Sequence, residues 1–469
     1  MTSNPGNSTP SAQTPPEHPQ DQTDTDVILP DWAQELPSRR RFLSRRNIII
    51  AAVAVVVIGI VVWQNFPFIP DPVKLARQPD VVFDTASTAD QWTMNGRTLG
   101  QTRFAADVVS APVGNLAWSV DAGPPTLAAP LVSDGRIYLG AHFRIAVLDA
   151  DTGAELESLD ATGPIGNSLA LVDDTLYYSM PDRRLVARDV ASHEFRWEYV
   201  MSDSTAGPVA VANGIVYAGA LDGVTYAVNA TTGELIWRHS TQGEVRSPVS
   251  TADRVVHVAS ADRSLYALDA RTGQERARFR TGAALVAAPV TANELTYFVS
   301  GRQLYAMDAD ALEYPGQYAV TRTWSQLWLW GFPLPSPPAQ PGDRWRLGPD
   351  YAEGITSRQK RTEGIISAPA VAGDRLYIGD TLGKFYGVDA ITGEEQWQFQ
   401  AVNGIVAPPV VVGDLVAFGD KSGFLYGLDR HDGTELWRMQ LSDEIRISPV
   451  YAEGRLWVRT QDGQLHAVD

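Results

Sequence analysis

A turn that opens on Asp or Asn and closes on Gly four residues later, followed by a tryptophan, comes back about every 40 residues along this chain, most plainly in YGVDAITGEEQWQF (386–399) and YGLDRHDGTELWRM (426–439). The residue that opens the turn recurs at Asp149, Asp189, Asn229, Asp269, Asp308, Asp389, Asp429 and Asp469, in steps of 40, 40, 40, 39, 81, 40 and 40. An earlier mark, a proline followed by small or β-branched residues, recurs at Pro130, Pro208, Pro248, Pro289, Pro369, Pro409 and Pro449. A fixed period of this length means repeated supersecondary units, none of which can bury its apolar face alone.

Within a unit the hydrophobic period is 2. The stretch 366–400 divides into SAPAVA, RLYIGD, KFYGVDA and EEQWQFQ, separated by Gly-Asp, Thr-Leu-Gly and Ile-Thr-Gly. Those separators carry hairpin turn chemistry. Asp389 can accept from backbone amides two or three residues on, and Gly393 supplies the positive φ that closes the turn. Four antiparallel strands per unit predict the blade of a β-propeller. Seven units begin near 126, 166, 205, 245, 285, 365 and 405, and an eighth near 445 stops at Asp469 without its outer strand. NLAWSVDAG (115–123) reads as an outer strand with no blade before it. The expectation is an all-β ring of eight four-stranded blades over 114–469, with the upstream strand completing the last blade and removing an open edge.

The outer strand carries its tryptophan four residues past the turn glycine at Trp237, Trp397 and Trp437, and Trp118 and Trp197 share that phase. Each buries about 150–250 Å², so these five are expected to lie against the neighbouring blade's turn. Glu157 and Ala277 stand at the same position in two blades, and those junctions should pack differently.

Upstream of the repeat the chain changes character. Residues 1–37 hold six acids and no Lys or Arg, are rich in Pro, Ser and Thr, and predict a disordered tail. Residues 38–69 carry Arg39, Arg40, Arg41, Arg45 and Arg46 and then 16 consecutive apolar residues from Ile48 to Trp63, extendable to Ile69. A bilayer core needs about 20 helical residues, so a membrane-spanning signal anchor over 48–69 is expected. The arginines before it put the tail in the cytoplasm and the repeat outside, periplasmic or extracellular. SRRRFL (38–43) also resembles a twin-arginine export motif. Residues 70–113 form a linker and lead-in.

After residue 70 there are 49 acids against 33 bases, a net charge of −16, which argues against nucleic acid or anionic lipid as an electrostatic partner. No cysteine is present, which excludes disulfides, thiolate metal sites and a lipidated N-terminal cysteine. The seven histidines lie at least 18 residues apart and predict no local zinc pair. Asp149-x-Asp151-x-Gly153 lacks the ligand set of a calcium loop. No metal site and no catalytic residue is expected.

The pattern A-x-D-x-x-T-G-x-x-x-W resembles the repeat of the pyrroloquinoline-quinone (PQQ) propeller superfamily, and residues 91–123 resemble the lead-in before its first blade. The resemblance spans about 80–469. That superfamily holds PQQ-dependent alcohol and glucose dehydrogenases, with PQQ and Ca²⁺ as cofactors, and non-catalytic members such as the BamB component of the outer-membrane β-barrel assembly machine. The alcohol dehydrogenases carry an adjacent Cys-Cys pair and a cofactor-binding Glu before the first blade. This chain has no cysteine and reads Thr126-Leu127-Ala128-Ala129-Pro130. The resemblance therefore implies an interaction scaffold or assembly factor for envelope proteins, the alternative being a PQQ-dependent dehydrogenase or quinone-binding sensor.

One long departure remains, about 311–363 between the fifth and sixth units, which packs Trp324, Trp328, Trp330, Phe332 and Trp345 among prolines, with Arg344 and Arg346 beside them. Loops beyond about 12–15 residues usually carry function. Three readings compete: a stiff loop folded onto its own ring, with Trp324 as the fifth blade's outer-strand aromatic; a partner-docking patch; or a membrane-interface contact.

Overall fold

The computed structural model describes residues 91–469 apart from 107, 109, 125–127, 166–168, 206, 253 and 349–362, together with 49–50, 52–56, 59 and 72–79. The chain divides into two units, 1–59 and 60–469. In the first, the described residues are helical and exposed. Among the described residues no helix is long and apolar enough to cross a membrane. The tail 1–37 and most of the expected span 48–69 lie outside them.

The second unit is an eight-bladed β-propeller of four-stranded antiparallel blades. Blade three shows the plan: strands Ala210–Ala212, Ile215–Gly219, Val224–Asn229 and Leu235–Ser240 pair in sequence order. Within a blade the first strand is the innermost and the fourth is the outer edge. In blade one, Arg136–Asp149 is a single extended stretch that doubles back: Ala150 N–H donates to Gly135 O at 2.9 Å, as Ala230 does to Gly214 in blade three at 2.8 Å.

The last blade closes as the repeat arithmetic requires. Leu116–Asp121 pairs antiparallel with Gln464–Val468, with Ser119 opposite His466. Asp469 N–H donates to Asn115 O (2.8 Å), and Val113 N–H donates back to Asp469 O (2.8 Å). The turn between third and fourth strands is thus assembled from two stretches that the sequence holds far apart.

Blade-to-blade contact is a repeated lock. Trp397 lies against Gly433 of the next blade's turn, where a Cβ would sit 2.5 Å from its Cε3. Its Nε1–H donates to Arg430 O (3.1 Å), and the Tyr377 hydroxyl donates to that same carbonyl (3.1 Å). Trp197 and Trp237 repeat the arrangement on Gly233 and Gly273, donating to Ala230 O and Ala270 O. Trp437 lies on Gly114 and donates to Pro112 O (2.9 Å), so the N-terminal segment supplies the glycine seat that the truncated eighth unit lacks. Trp118 lies on Gly153, joining blade eight to blade one. Among the described residues its buried Nε1–H has no acceptor, and the equivalent carbonyl, Ala150 O, accepts from Arg455 at 3.2 Å.

Two junctions depart from the lock, and each has a replacement. Glu157 faces His193 (3.1 Å) and Arg136 (3.0 Å). His193 stands in the turn where other blades have glycine and keeps the positive φ of 62°. A polar contact between Glu157 and His193 thus replaces tryptophan over glycine. Ala277 is buried in one cluster with Ala311, near the start of the long departure.

That departure is placed differently from the sequence expectation. Asp343–Leu347 is the outer strand of blade five, paired with Gln303–Asp308, so residues 309–342 are an enlarged turn inside blade five rather than a link to blade six. Residues 349–362 lie outside those described.

Candidate functional site

Two features stand apart from the repeat: the segment along the ring's axis and the inserted turn.

The lead-in runs across the free edges of the innermost strands. Trp92 and Val132 exchange backbone bonds (2.8 and 3.0 Å). Leu171, Thr251, Thr291, Val371 and Val411, each the middle residue of its blade's first strand, then donate to the carbonyls of Thr93, Leu99, Gly100, Thr102 and Arg103 at 2.7–2.9 Å. Six blades are stitched by one segment, and inner-edge amides that would face the axis unpaired are satisfied. The path is tight. Arg97, Gln101 and Arg103 all take positive φ, and a Cβ at Gly100 would lie 2.1 Å from Thr291 O. Arg103 is buried and donates to Gln101 O (2.9 Å) and Pro369 O (3.3 Å). Burial pulls its pKa down to about 10, which leaves it charged at neutral pH.

The ring spends its buried ionisable groups on architecture. His257 bonds Ala309 O (2.9 Å) and Thr291 (3.3 Å), and burial lowers its pKa to about 4. His466 bonds Ser119 (2.7 Å) and Thr460 (3.0 Å) across the closing strand and is held below its ordinary value by burial. Asp380 accepts from the Tyr386 hydroxyl (3.0 Å) and the Leu382 and Lys384 amides (2.9 Å each), and burial raises its pKa. Asp420 repeats this with Tyr426.

The insertion is a helical hairpin. Its two ends bond the outer edge of blade four: Glu313 N–H donates to Arg276 O (2.8 Å), and Gln340 exchanges bonds with the Arg280 backbone (2.8 and 2.7 Å). The Glu313 carboxylate pairs with Arg280 at 3.1 Å, whose guanidinium also covers the Tyr318 ring at 3.8 Å. Between these roots stands the helix Gln317–Leu329, which buries no residue. Val320, Trp324 and Leu327, at i, i+4 and i+7, line an open apolar trough with Leu334. Trp324 Nε1–H donates to Pro335 O (2.9 Å), tying the helix to the proline-rich return.

The residues singled out from the sequence therefore separate. Trp328, Trp330 and Phe332 are exposed at the hairpin tip. Trp324 is not the fifth blade's outer-strand aromatic; Trp345 is. It lies on Gly393 and donates to Ala390 O (3.1 Å), so it belongs with the blade locks. Arg344 and Arg346 sit on that same strand, paired with Asp308 (2.5 Å) and Asp343 (2.6 Å), apart from the tip.

A family model described as outer membrane protein assembly factor BamB matches residues 59–226, 141–252, 221–398, 338–420 and 392–469. The chain belongs to this BamB family of PQQ-like propellers. Among solved structures, BamB from Moraxella catarrhalis is similar at 16% identity and a TM-score of 0.58, over 76% of this chain and all of that one. A quinohemoprotein alcohol dehydrogenase from Comamonas testosteroni is similar at 13% identity and a TM-score of 0.63, over 85% of this chain and 83% of that one. The computationally designed protein Ika8 is similar at 16% identity and a TM-score of 0.56, over 78% and 99%. At such identities the likeness shows the fold alone. No curated protein matches significantly.

The dehydrogenase likeness raises the question of a quinone with calcium. Among the described residues no group of three or more His, Asp or Glu converges where an ion could sit. Residues leading into the innermost strands, Ala128-Ala129-Pro130, Ser247-Pro248, Ala288-Pro289 and Ser367-Ala368-Pro369, offer hydroxyls and methyls but no carboxylate.

Proposed function

We propose that this is a membrane-anchored envelope protein whose propeller acts as a non-catalytic interaction scaffold, exported by the Arg-flanked segment 38–69 and carrying the ring outside the cytoplasm. The observation that carries the reading is the use of the ring's interior. Its buried histidines and the tyrosine-paired aspartates hold strands and turns together, and the axial strand edges of six of its eight blades are closed by its own lead-in. Perturbed ionisable groups usually mark reactive sites, but here His257, His466 and Asp380 each have a structural partner. A rigid ring with broad faces suits binding of other proteins, and membership of the BamB family supports envelope proteins as those partners.

Two measurements on full-length protein purified from native membranes test this. Stoichiometric co-purification of defined envelope proteins, with no saturable uptake of PQQ in the presence of Ca²⁺, is the expected result. Saturable PQQ binding with substrate-dependent dye reduction would replace the scaffold with a quinone-dependent dehydrogenase.

A further inference from the structure

We propose that the exposed aromatic helix of the insertion rests on the bilayer surface, beside the point where the chain's own segment 48–69 enters it. This rests on the anchored reading above.

The hairpin tip presents apolar side chains to solvent: Leu329 and Trp330 are each 74% exposed, Phe332 53% and Trp328 44%. Contiguous apolar surface of this kind marks a contact with a protein or a membrane. Its charge distinguishes the two. Residues 314–342 contain no Asp or Glu, and Arg322 is their single charged side chain, in a body whose net charge is −16. A stretch cleared of acids and bearing tryptophans at its tip and tyrosines at its base has the composition of a bilayer interface. A specific protein contact would call for charged or polar groups that fix register, and the tip's polar atoms are few, chiefly the indole N–H groups of Trp328 and Trp330, which also suit the headgroup level.

Position supplies the second argument. Gln78 Nε2–H donates to Arg271 O (2.7 Å) in the turn of blade four, and blade four is also where both roots of the insertion attach. Only nine peptide units separate Gln78 from Ile69, the last apolar residue of the expected span. Fully extended they reach about 30 Å. The tether thus holds blade four, and the insertion with it, within about 30 Å of the membrane, while the 13-residue helix is itself about 20 Å long. Contact with lipid becomes an intramolecular event, so a weak interfacial affinity suffices.

The absence of cysteine makes the test direct. Full-length L329C, labelled with an environment-sensitive fluorophore, is reconstituted into phosphatidylcholine–phosphatidylglycerol vesicles containing brominated acyl chains. L156C, 51% exposed on blade one, is the control, and W330C repeats the measurement one residue on. Blue-shifted emission and several-fold stronger lipid quenching at L329C and W330C than at L156C is the expected result. Flotation with the vesicles but water-like emission at both tip positions overturns the inference and leaves the anchor standing. Shielding that appears only in native membranes, and not in pure lipid, assigns the helix to a protein partner and overturns it too. Failure to float removes the anchor and this inference together.

Discussion

Replacing Gly433 by alanine measures the blade lock against its own control. Gly433 has φ of 75°, and its added Cβ would lie 2.5 Å from Trp397 Cε3 and 2.8 Å from Cδ2. Gly135 has nearly the same φ, 72°, with nothing within 4 Å of an added Cβ. Left-handed backbone costs alanine about 1–2 kcal/mol, and that term is common to both. At Gly433 the indole must also leave its seat. Deleting a buried tryptophan outright costs about 3–5 kcal/mol, so partial expulsion is worth roughly 2 kcal/mol, and the Nε1–Arg430 O bond adds about 1 kcal/mol. The expected loss is therefore about 4–5 kcal/mol for G433A against about 1–2 kcal/mol for G135A. Urea unfolding followed by tryptophan fluorescence reads both midpoints. Equal losses would refute the lock as a source of blade cohesion.

Acid should destabilise the ring through its buried histidines. His257 has a folded pKa of about 4 against an unfolded value near 6.5. Below about pH 6.5 the unfolded chain therefore takes up a proton that the folded one refuses, and stability falls until about pH 4. Between pH 8 and pH 5 this one residue predicts a loss of about 2 kcal/mol, and denaturation midpoints at the two pH values should converge by that amount in H257N. In the insertion, replacing 314–339 by a short glycine linker should change stability by less than about 1 kcal/mol, since the helix buries no residue and exposed substitutions cost little. E313A, in contrast, strips Arg280 of its carboxylate and should cost about 1–3 kcal/mol. A large loss on deletion would mean that the hairpin packs as part of the ring.

The repeat made most of the fold legible because the turn chemistry is local. Asp389 Oδ1 accepts from the Ile391 and Thr392 amides and the Thr392 hydroxyl, all within three residues, so the motif shows in any one copy. The borrowed strand was legible because Asp469 ends a unit one strand short while 115–123 shows one to spare. Gly114 was not, since the turn it serves is built from residues at opposite ends of the ring. The axial path of the lead-in left no periodic signal, and three of its left-handed residues are Arg97, Gln101 and Arg103 rather than glycines. Trp345 was hidden because its turn is enlarged and Gly342 precedes it by three residues instead of four. Alternation in Asp-Arg-Trp-Arg-Leu was the available sign of a strand. The inserted helix carried the spacing Val320, Trp324, Leu327, but prolines and tryptophans around it drew the reading toward a loop. The exchange of tryptophan and glycine for Glu157 and His193 was half visible: the missing tryptophan was read, its partner was not.

The propeller's closure depends on its own upstream strand. Ser119 and His466 face each other across that seal at 2.7 Å, in a chain without cysteine. Oxidising the S119C/H466C double variant of the full-length protein and running it unreduced is therefore decisive. A closed ring predicts rapid, near-complete conversion to a compact monomer band that vanishes when oxidation is carried out in urea. Disulfide-linked dimers, or free thiols in the folded protein, would mean that residues 116–121 do not complete the eighth blade.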